Sequence, residues 1–135
     1  SLATEQKYKD VVNEKVKKRE AWRPFCPTII EEKSEGILEN ATYAPYMILG
    51  FNMKNPELYP AVCHVDGTTR PQILKKEMNP EFHEVVKGVG GIVLNTSFNL
   101  AGDPVVETPY DAFMTLKNSE MDAIIINNFM VEKTK

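Results

Sequence analysis

Residues 90–106 read GGIVLNTSFNLAGDPVV. Ile92, Val93 and Leu94 form a short apolar run after a Gly-Gly break, which predicts a buried strand. Asn95, Thr96, Ser97, Phe98 and Asn99 follow at once, then Gly102 and Pro104. A buried strand that ends in small polar residues delivers amides and hydroxyls to a fixed point. In open α/β sheets, ligands collect at such strand ends. The competing reading is an ordinary strand exit, with Asn and Ser bonding their own backbone.

Upstream of this stretch, PEFHEVVK (80–87) predicts a helix, with Asn79 as cap and Pro80 in the first turn. AVCHV (61–65) predicts another strand, running into Asp66-Gly67-Thr68-Thr69-Arg70. Asp-Gly is a strong turn signal, so with PQIL after it the segment predicts a hairpin. Arg70, Thr68 and Asp66 then cluster at one strand end. The strands 61–65 and 92–94 are expected to be sheet neighbours, which would bring Arg70 and Ser97 to one edge. His64 reads first as a core histidine bonded to backbone and Asp66 as a turn-former. PYMILGFN (45–52) predicts a strand, residues 53–59 an exposed loop, and residues 31–43 a short helix and loop.

Residues 4–20 predict a helix capped by Thr4, with Tyr8, Val12 and Val16 at i, i+4 spacing and Val11 beside them. Lys15, Lys17, Lys18, Arg19 and, just beyond, Arg23 suit the negative end of its dipole. Pro24 ends it, because a residue before proline avoids the helical region. In WRPFCPTII (22–30) two prolines three apart keep the chain extended, and Trp22, Phe25, Ile29 and Ile30 are expected to anchor it in the core. Arg23 on that stiff segment suits phosphate recognition. Its alternatives are stacking on Trp22 or pairing with a carboxylate.

Downstream, residues 109–116 predict a helix with Thr108 as cap and Asp111 in its first turn. Residues 123–126 and 129–131 predict two closing strands around Asn127-Asn128, and 133–135 are expected to fray. Three or four helices and five or six strands, mixed along the chain, predict an α/β or α+β fold: one twisted mixed β-sheet packed with helices. The length of 135 residues fits a single domain, 1–135.

With 42% hydrophobic and 26% charged residues the composition is that of an ordinary soluble protein. A net charge of −3 gives no global pull toward nucleic acid or membrane. Cys26 and Cys63 lack CxxC spacing and read as reduced core residues, which fits a cytoplasmic protein. No apolar run approaches the roughly 20 residues that span a bilayer. His64 and His83 are the two histidines, neither with a ligand-spaced partner, so no metal site is expected in this chain.

Three segments in series resemble a family. WRPFCPTI resembles the RPFAPS segment of the NodU/CmcH-type carbamoyltransferases, AVCHVDGTTRPQ their PAVTHVDGTARVQ, and NTSFNLAGDPVV their NTSFNxxGEPIV. Order and approximate spacing match too. The resemblance implies a C-terminal, YrdC-like domain, cut from a longer protein. The family's N-terminal actin/hexokinase-like domain, with the metal site and the carbamoyl-transfer site, would be missing here and would be this chain's partner. The implied activity is formation of carbamoyl adenylate from carbamoyl phosphate and ATP, for transfer to an acceptor hydroxyl.

The resemblance gives the residues roles. Lys17, Arg23 and Arg70 match the family's phosphate-binding cations, with Arg70 as the catalytic one. Asn95 and Ser97 match the NTS residues that can bond the carbamoyl group or the adenylate phosphate, and Thr68 and Asn99 are further candidates for substrate binding. The sequence departs from the pattern at Cys26 (Ala in the family), Thr28 (Ser), Pro71 (a small apolar residue), Ala101 (often Arg) and Asp103 (Glu). Loss of the Arg at position 101 removes one possible anion contact from that loop. The alternative function is a nucleotide- or RNA-binding module without turnover, against which the acidic balance argues for RNA.

Overall fold

In the computed structural model of the chain, residues 1–134 are described, and Lys135 lies outside them. The chain divides into two units. Unit 1 comprises Ser1–Lys9 and Pro24–Thr96, and unit 2 comprises Asp10–Arg23 and the chain from Ser97 onward. The first division falls inside helix α1 (Gln6–Val11).

Unit 1 is built on strand β1 (Cys26–Ile30), whose β-branched Thr28, Ile29 and Ile30 suit a pleated, buried surface. Helix α2 (Glu31–Ile37) follows it directly. After β2 (Phe51–Asn52) and β3 (Thr68–Thr69), which pair antiparallel, comes β4 (Gln72–Leu74). Helix α3 (Pro80–Gly88) leads to β5 (Ile92–Asn95). The main sheet has the order β4-β1-β5, with β1 parallel to β4 and antiparallel to β5. The sheet is mixed, as the sequence predicts, but it holds three strands; the other strands form two separate two-stranded sheets and do not join one central sheet. Leu2 adds one antiparallel bridge to Val93.

Helix α3 starts as predicted: Asn79 Oδ1 accepts from Phe82 N at 3.0 Å, and Pro80 occupies the first turn. Such a cap stabilises by about 1 kcal/mol. The helix lays Val86 on Ile30 and Leu74, with Phe82 and Val93 packed around them. Each fully buried aliphatic side chain contributes about 1.5–3 kcal/mol, so this cluster stabilises the packing of α3 on the sheet. His83 is also fully buried, and its Nε2 lies 3.1 Å from both carboxylate oxygens of Glu32 on α2. Between α3 and β5 the chain turns on Gly91, at φ +90°. A Cβ there would lie 2.8 Å from Lys33 Cγ and 3.3 Å from Ile30 Cδ1.

Unit 2 holds the end of α1, a π-helical turn over Val12–Val16, helix α4 (Pro109–Lys117) and the hairpin of β6 (Ala123–Ile126) and β7 (Phe129–Glu132). A full capping box starts α4: Thr108 Oγ1 accepts from Asp111 N at 3.2 Å, and Asp111 Oδ2 accepts from Thr108 N at 2.9 Å. The Thr108 hydroxyl, which donates to Asp111 Oδ2 at 2.6 Å, and then the Thr108 backbone N–H hold the Asp111 carboxyl below its ordinary pKa. Ala112, Leu116 and Ile124 form the core here, with Phe98, Val106, Met121 and Ile126 against it. Asn127 takes φ +51° at the hairpin turn, a conformation Asn tolerates. Lys133 does not fray: its backbone N–H donates to Asp122 O at 3.0 Å and its Nζ to Ser119 O.

Six expectations fail. The helix predicted over 4–20 is α-helical only from Gln6 to Val11 and ends after the π turn, with Lys18 at φ +45°. Of the strand predicted over 45–52, only Phe51–Asn52 forms. Residues 61–65 are not a strand, although Ala61 and Val62 are fully buried. Their donors go elsewhere: Val62 N and Cys63 N both bond Tyr59 O, and His64 N bonds Thr68 O. With those groups spent on turns, β4 pairs with β1 instead of closing a hairpin with 61–65, and the expected pairing of 61–65 with β5 is absent. Trp22, expected in the core, is 70% exposed.

Candidate functional site

In unit 1, Arg70 stands between β3 and β4. Its neighbours Thr69 and Pro71 are both fully buried, and Thr69 Oγ1 donates to Val62 O at 2.8 Å. The backbone is therefore fixed on either side while the Arg70 side chain is exposed. Its Nη2 donates to Cys26 Sγ at 3.4 Å, a weak acceptor. No carboxylate forms an ion pair with it among the described residues. Cys26 opens β1 and faces Asn95, the last residue of β5, in the antiparallel register. Arg70 and Asn95 thus reach the same end of the sheet, on either side of β1. They do so through β4 and β5, not through a strand at 61–65.

The Asn95 carboxamide is held from below. Its Nδ2 donates to Thr28 Oγ1 at 2.9 Å, and Thr28 Oγ1 donates to Gln72 Oε1 at 3.0 Å. Thr28 is fully buried. Sequence reasoning passed over Thr28 and Gln72 as partners. The available signal was a polar Thr inside the apolar run Pro27–Ile30, on the face that the alternation of a strand shares with Cys26.

Thr68, His64 and Asp66 form one turn. Asp66 Oδ1 accepts from Thr68 N at 3.0 Å and from Thr68 Oγ1 at 2.7 Å, which holds the Asp66 carboxyl below its ordinary pKa. His64 Nδ1 lies 3.2 Å from the same hydroxyl. That hydroxyl gives its proton to Asp66, so Nδ1 carries the imidazole proton and Nε2 keeps its lone pair. Burial pushes the His64 pKa down; Arg70 and Lys9 add to this, and Asp66 opposes it. His64 therefore bonds the Thr68 side chain through its ring, and its backbone N–H meets Thr68 O.

In unit 2, Lys17 is 6% exposed, and its ammonium sits among four oxygens. Nζ lies 2.5 Å from Ser97 O, 3.2 Å from Ser97 Oγ, 2.9 Å from Asn99 O and 2.7 Å from Asn99 Oδ1. All four are neutral acceptors. Burial, with Arg19 nearby, lowers the Lys17 pKa. Ser97 Oγ donates to Asn99 Oδ1 at 2.7 Å, and Asn99 Nδ2 donates to Asp103 O at 2.8 Å. Ser97, Asn99 and Lys17 are thus one polar knot.

Arg23 is exposed, paired with Glu20 at 3.1 Å and set 6.0 Å from the Trp22 ring. Both bland partners that its sequence context allows are present. Its backbone is better fixed than its side chain. Asn13, fully buried, donates through Nδ2 to Arg23 O at 2.9 Å and to Ala21 O at 3.3 Å, and accepts from Arg19 Nε at 2.7 Å. Sequence reasoning counted Val12 and Val16 in this stretch and missed Asn13, a polar residue beside an apolar stripe.

Of the residues singled out from sequence, Arg70, Thr68 and Asn95 lie in unit 1, and Lys17, Arg23, Ser97 and Asn99 in unit 2. Among the described residues, no three His, Cys, Asp or Glu side chains are grouped to hold a metal ion, and no helix is long and apolar enough to cross a membrane. Cys26 and Cys63 are free thiols.

Residues 1–133 match the family model described as carbamoyltransferase C-terminus. An uncharacterized protein of Methanocaldococcus jannaschii is 36% identical over 94% of this chain, which spans 22% of that protein. Nodulation protein U of Sinorhizobium fredii is 36% identical over 76% of the chain and 19% of its own length. The 3'-hydroxymethylcephem-O-carbamoyltransferase of Amycolatopsis lactamdurans is 25% identical over 94% of the chain and 25% of its own length. The chain therefore spans about a quarter or less of these relatives, and it belongs to the carbamoyltransferase C-terminal family, related to nodulation protein U and the cephem O-carbamoyltransferase.

Proposed function

We propose that this chain is the YrdC-like, adenylate-forming part of a cytoplasmic O-carbamoyltransferase, working with an N-terminal actin/hexokinase-like domain that holds the metal and transfers the carbamoyl group. Water releases phosphate from carbamoyl phosphate to leave carbamate. A carbamate oxygen then attacks the α-phosphorus of ATP and expels pyrophosphate, giving carbamoyl adenylate. This step needs cations for crowded phosphates and polar groups for a small planar acyl group.

The observation that carries the reading is Arg70: an exposed guanidinium on a fixed backbone, unpaired with any described carboxylate, at the sheet end where Asn95 closes β5. A cation in that state is ready for an anion. Within unit 2, Lys17 supplies a buried positive charge surrounded by neutral oxygens, which favours an anion at the Ser97–Asn99 loop. Arg23 has only a surface ion pair to give up, and such pairs contribute little, about 0–1 kcal/mol.

The test is pyrophosphate release from ATP by the full-length protein with and without carbamoyl phosphate. Release that depends on carbamoyl phosphate is expected. Its absence, together with RNA affinity that falls steeply with salt, would replace the enzyme reading by the binding one.

A further inference from the structure

The hydrogen bonds across the β4-β1-β5 sheet form a chain with one direction, and a proline sets it. Gln72 Nε2 donates to Pro45 O at 3.3 Å. A proline backbone offers a carbonyl and no N–H, so the amide nitrogen of Gln72 must face it. Gln72 Oε1 is then turned to Thr28 and takes the Thr28 hydroxyl proton at 3.0 Å. With that proton committed, Thr28 Oγ1 can only accept from Asn95, and Nδ2 donates to it at 2.9 Å. The reverse orientation of Asn95 would set two lone pairs against each other. Asn95 is half-buried, and its Oδ1 makes no hydrogen bond among the described residues. The sheet end beside Arg70 therefore carries an acceptor of fixed orientation.

We infer that Thr28 and Gln72 are positioning residues that make Asn95 Oδ1 a reader of N–H donors, so that the site selects acyl phosphates with an amino group on the acyl carbon. This rests on the carbamoyl phosphate reading above. A carbamoyl NH2 donates to Asn95 Oδ1. An acetyl methyl of nearly the same shape cannot, and leaves the acceptor unpaired. Dry sites of this kind discriminate by about ten-thousand-fold. Asn95 is only half-buried, so water can partly satisfy Oδ1, and the expected preference is about 10–100-fold.

The experiment measures binding of carbamoyl phosphate and of acetyl phosphate to the full-length protein, as wild type, Thr28→Val and Thr28→Ser. Wild type and Thr28→Ser should prefer carbamoyl phosphate by that factor. Thr28→Val should lose most of the preference, mainly through weaker carbamoyl phosphate binding. A folded Thr28→Val with the wild-type preference overturns the inference. So does wild type binding both compounds equally, while wild type binding neither overturns the reading beneath it. A measurement on wild type alone covers a variant that does not fold. The Asn95 side-chain NH2 protons should exchange slowly and shift little on adding carbamoyl phosphate; fast exchange or a large shift would mean that Nδ2 faces the ligand.

Discussion

Lys17 and Asn99 are joined by two hydrogen bonds from one ammonium, 2.7 Å to the side-chain oxygen and 2.9 Å to the carbonyl. The same nitrogen also bonds Ser97. Lys17→Met keeps the aliphatic stem and removes the charged donor, leaving Asn99 Oδ1 with the Ser97 hydroxyl and Ser97 O with the Asn99 backbone N–H. It should destabilise unit 2 by about 1.5–3 kcal/mol, the range for bonds to a charged group. Lys17→Arg should not rescue, because a planar fork cannot converge on four oxygens around a point. Exposed Lys15→Ala should stay within about 0.5 kcal/mol of wild type. Urea unfolding followed on each variant decides this, and equal losses at positions 15 and 17 would refute it.

Arg70→Ala should cut carbamoyl-phosphate-dependent pyrophosphate release in the full-length protein by roughly 100- to 1,000-fold, as for loss of one preorganised donor. Ser97→Ala removes one neutral hydroxyl and should cost less, about 0.5–1.5 kcal/mol in transition-state stabilisation. A folded Arg70→Ala protein that releases pyrophosphate at the wild-type rate would remove Arg70 from the chemistry.

His64 sets a pH dependence of stability. Its folded pKa lies below the ordinary 6.5, first through burial and then through Arg70 and Lys9. Between the folded value and 6.5 the unfolded chain holds the extra proton, so stability rises with pH across that window. It is complete above pH 6.5 and shrinks as pH falls. The melting temperature should therefore drop between pH 7.5 and 5.5, and His64→Asn should drop less. Parallel profiles for the two proteins would show that His64 is not the group responsible.

Gly91→Ala should destabilise by about 1–3 kcal/mol, since it meets both a positive φ and a 2.8 Å clash with Lys33. Gly90→Ala, at φ +102° but in open space, should cost less. Chemical denaturation of the pair gives the comparison, and a reversed order would mean that the turn repacks.

The elements legible in the sequence are those with local chemistry. Asn79-Pro80 and Thr108-Pro109 each state a helix start, Asn127-Asn128 states a hairpin, and the run Ile92–Leu94 states a strand. What stayed hidden depends on distant partners. Nothing within Gln72–Leu74 announces a parallel pairing with Thr28–Ile30, and the apolar run at 61–65 looks like a strand until Tyr59 O takes two of its donors. The motif residues of each unit were visible one by one. Their supports, Asn13 under Arg23 and Thr28 under Asn95, were not, because a buried polar side chain is recognised by the groups it meets and not by its neighbours in sequence.

The π turn has a consequence for chain length. Lys17 N bonds Val12 O, five residues back, at 2.8 Å. An α-helix would close the turn four residues back, so the segment Val12–Val16 holds one residue more than an α-helical path requires. A wide turn of five residues sweeps about the same angle as an α turn of four, so the surplus is absorbed without carrying Lys17 round the axis. Deleting exposed Glu14 would thus relax the turn to α and leave the ammonium on the side of Ser97 and Asn99. Replacing the lysine removes that connection, whereas shortening the turn by its surplus residue keeps it.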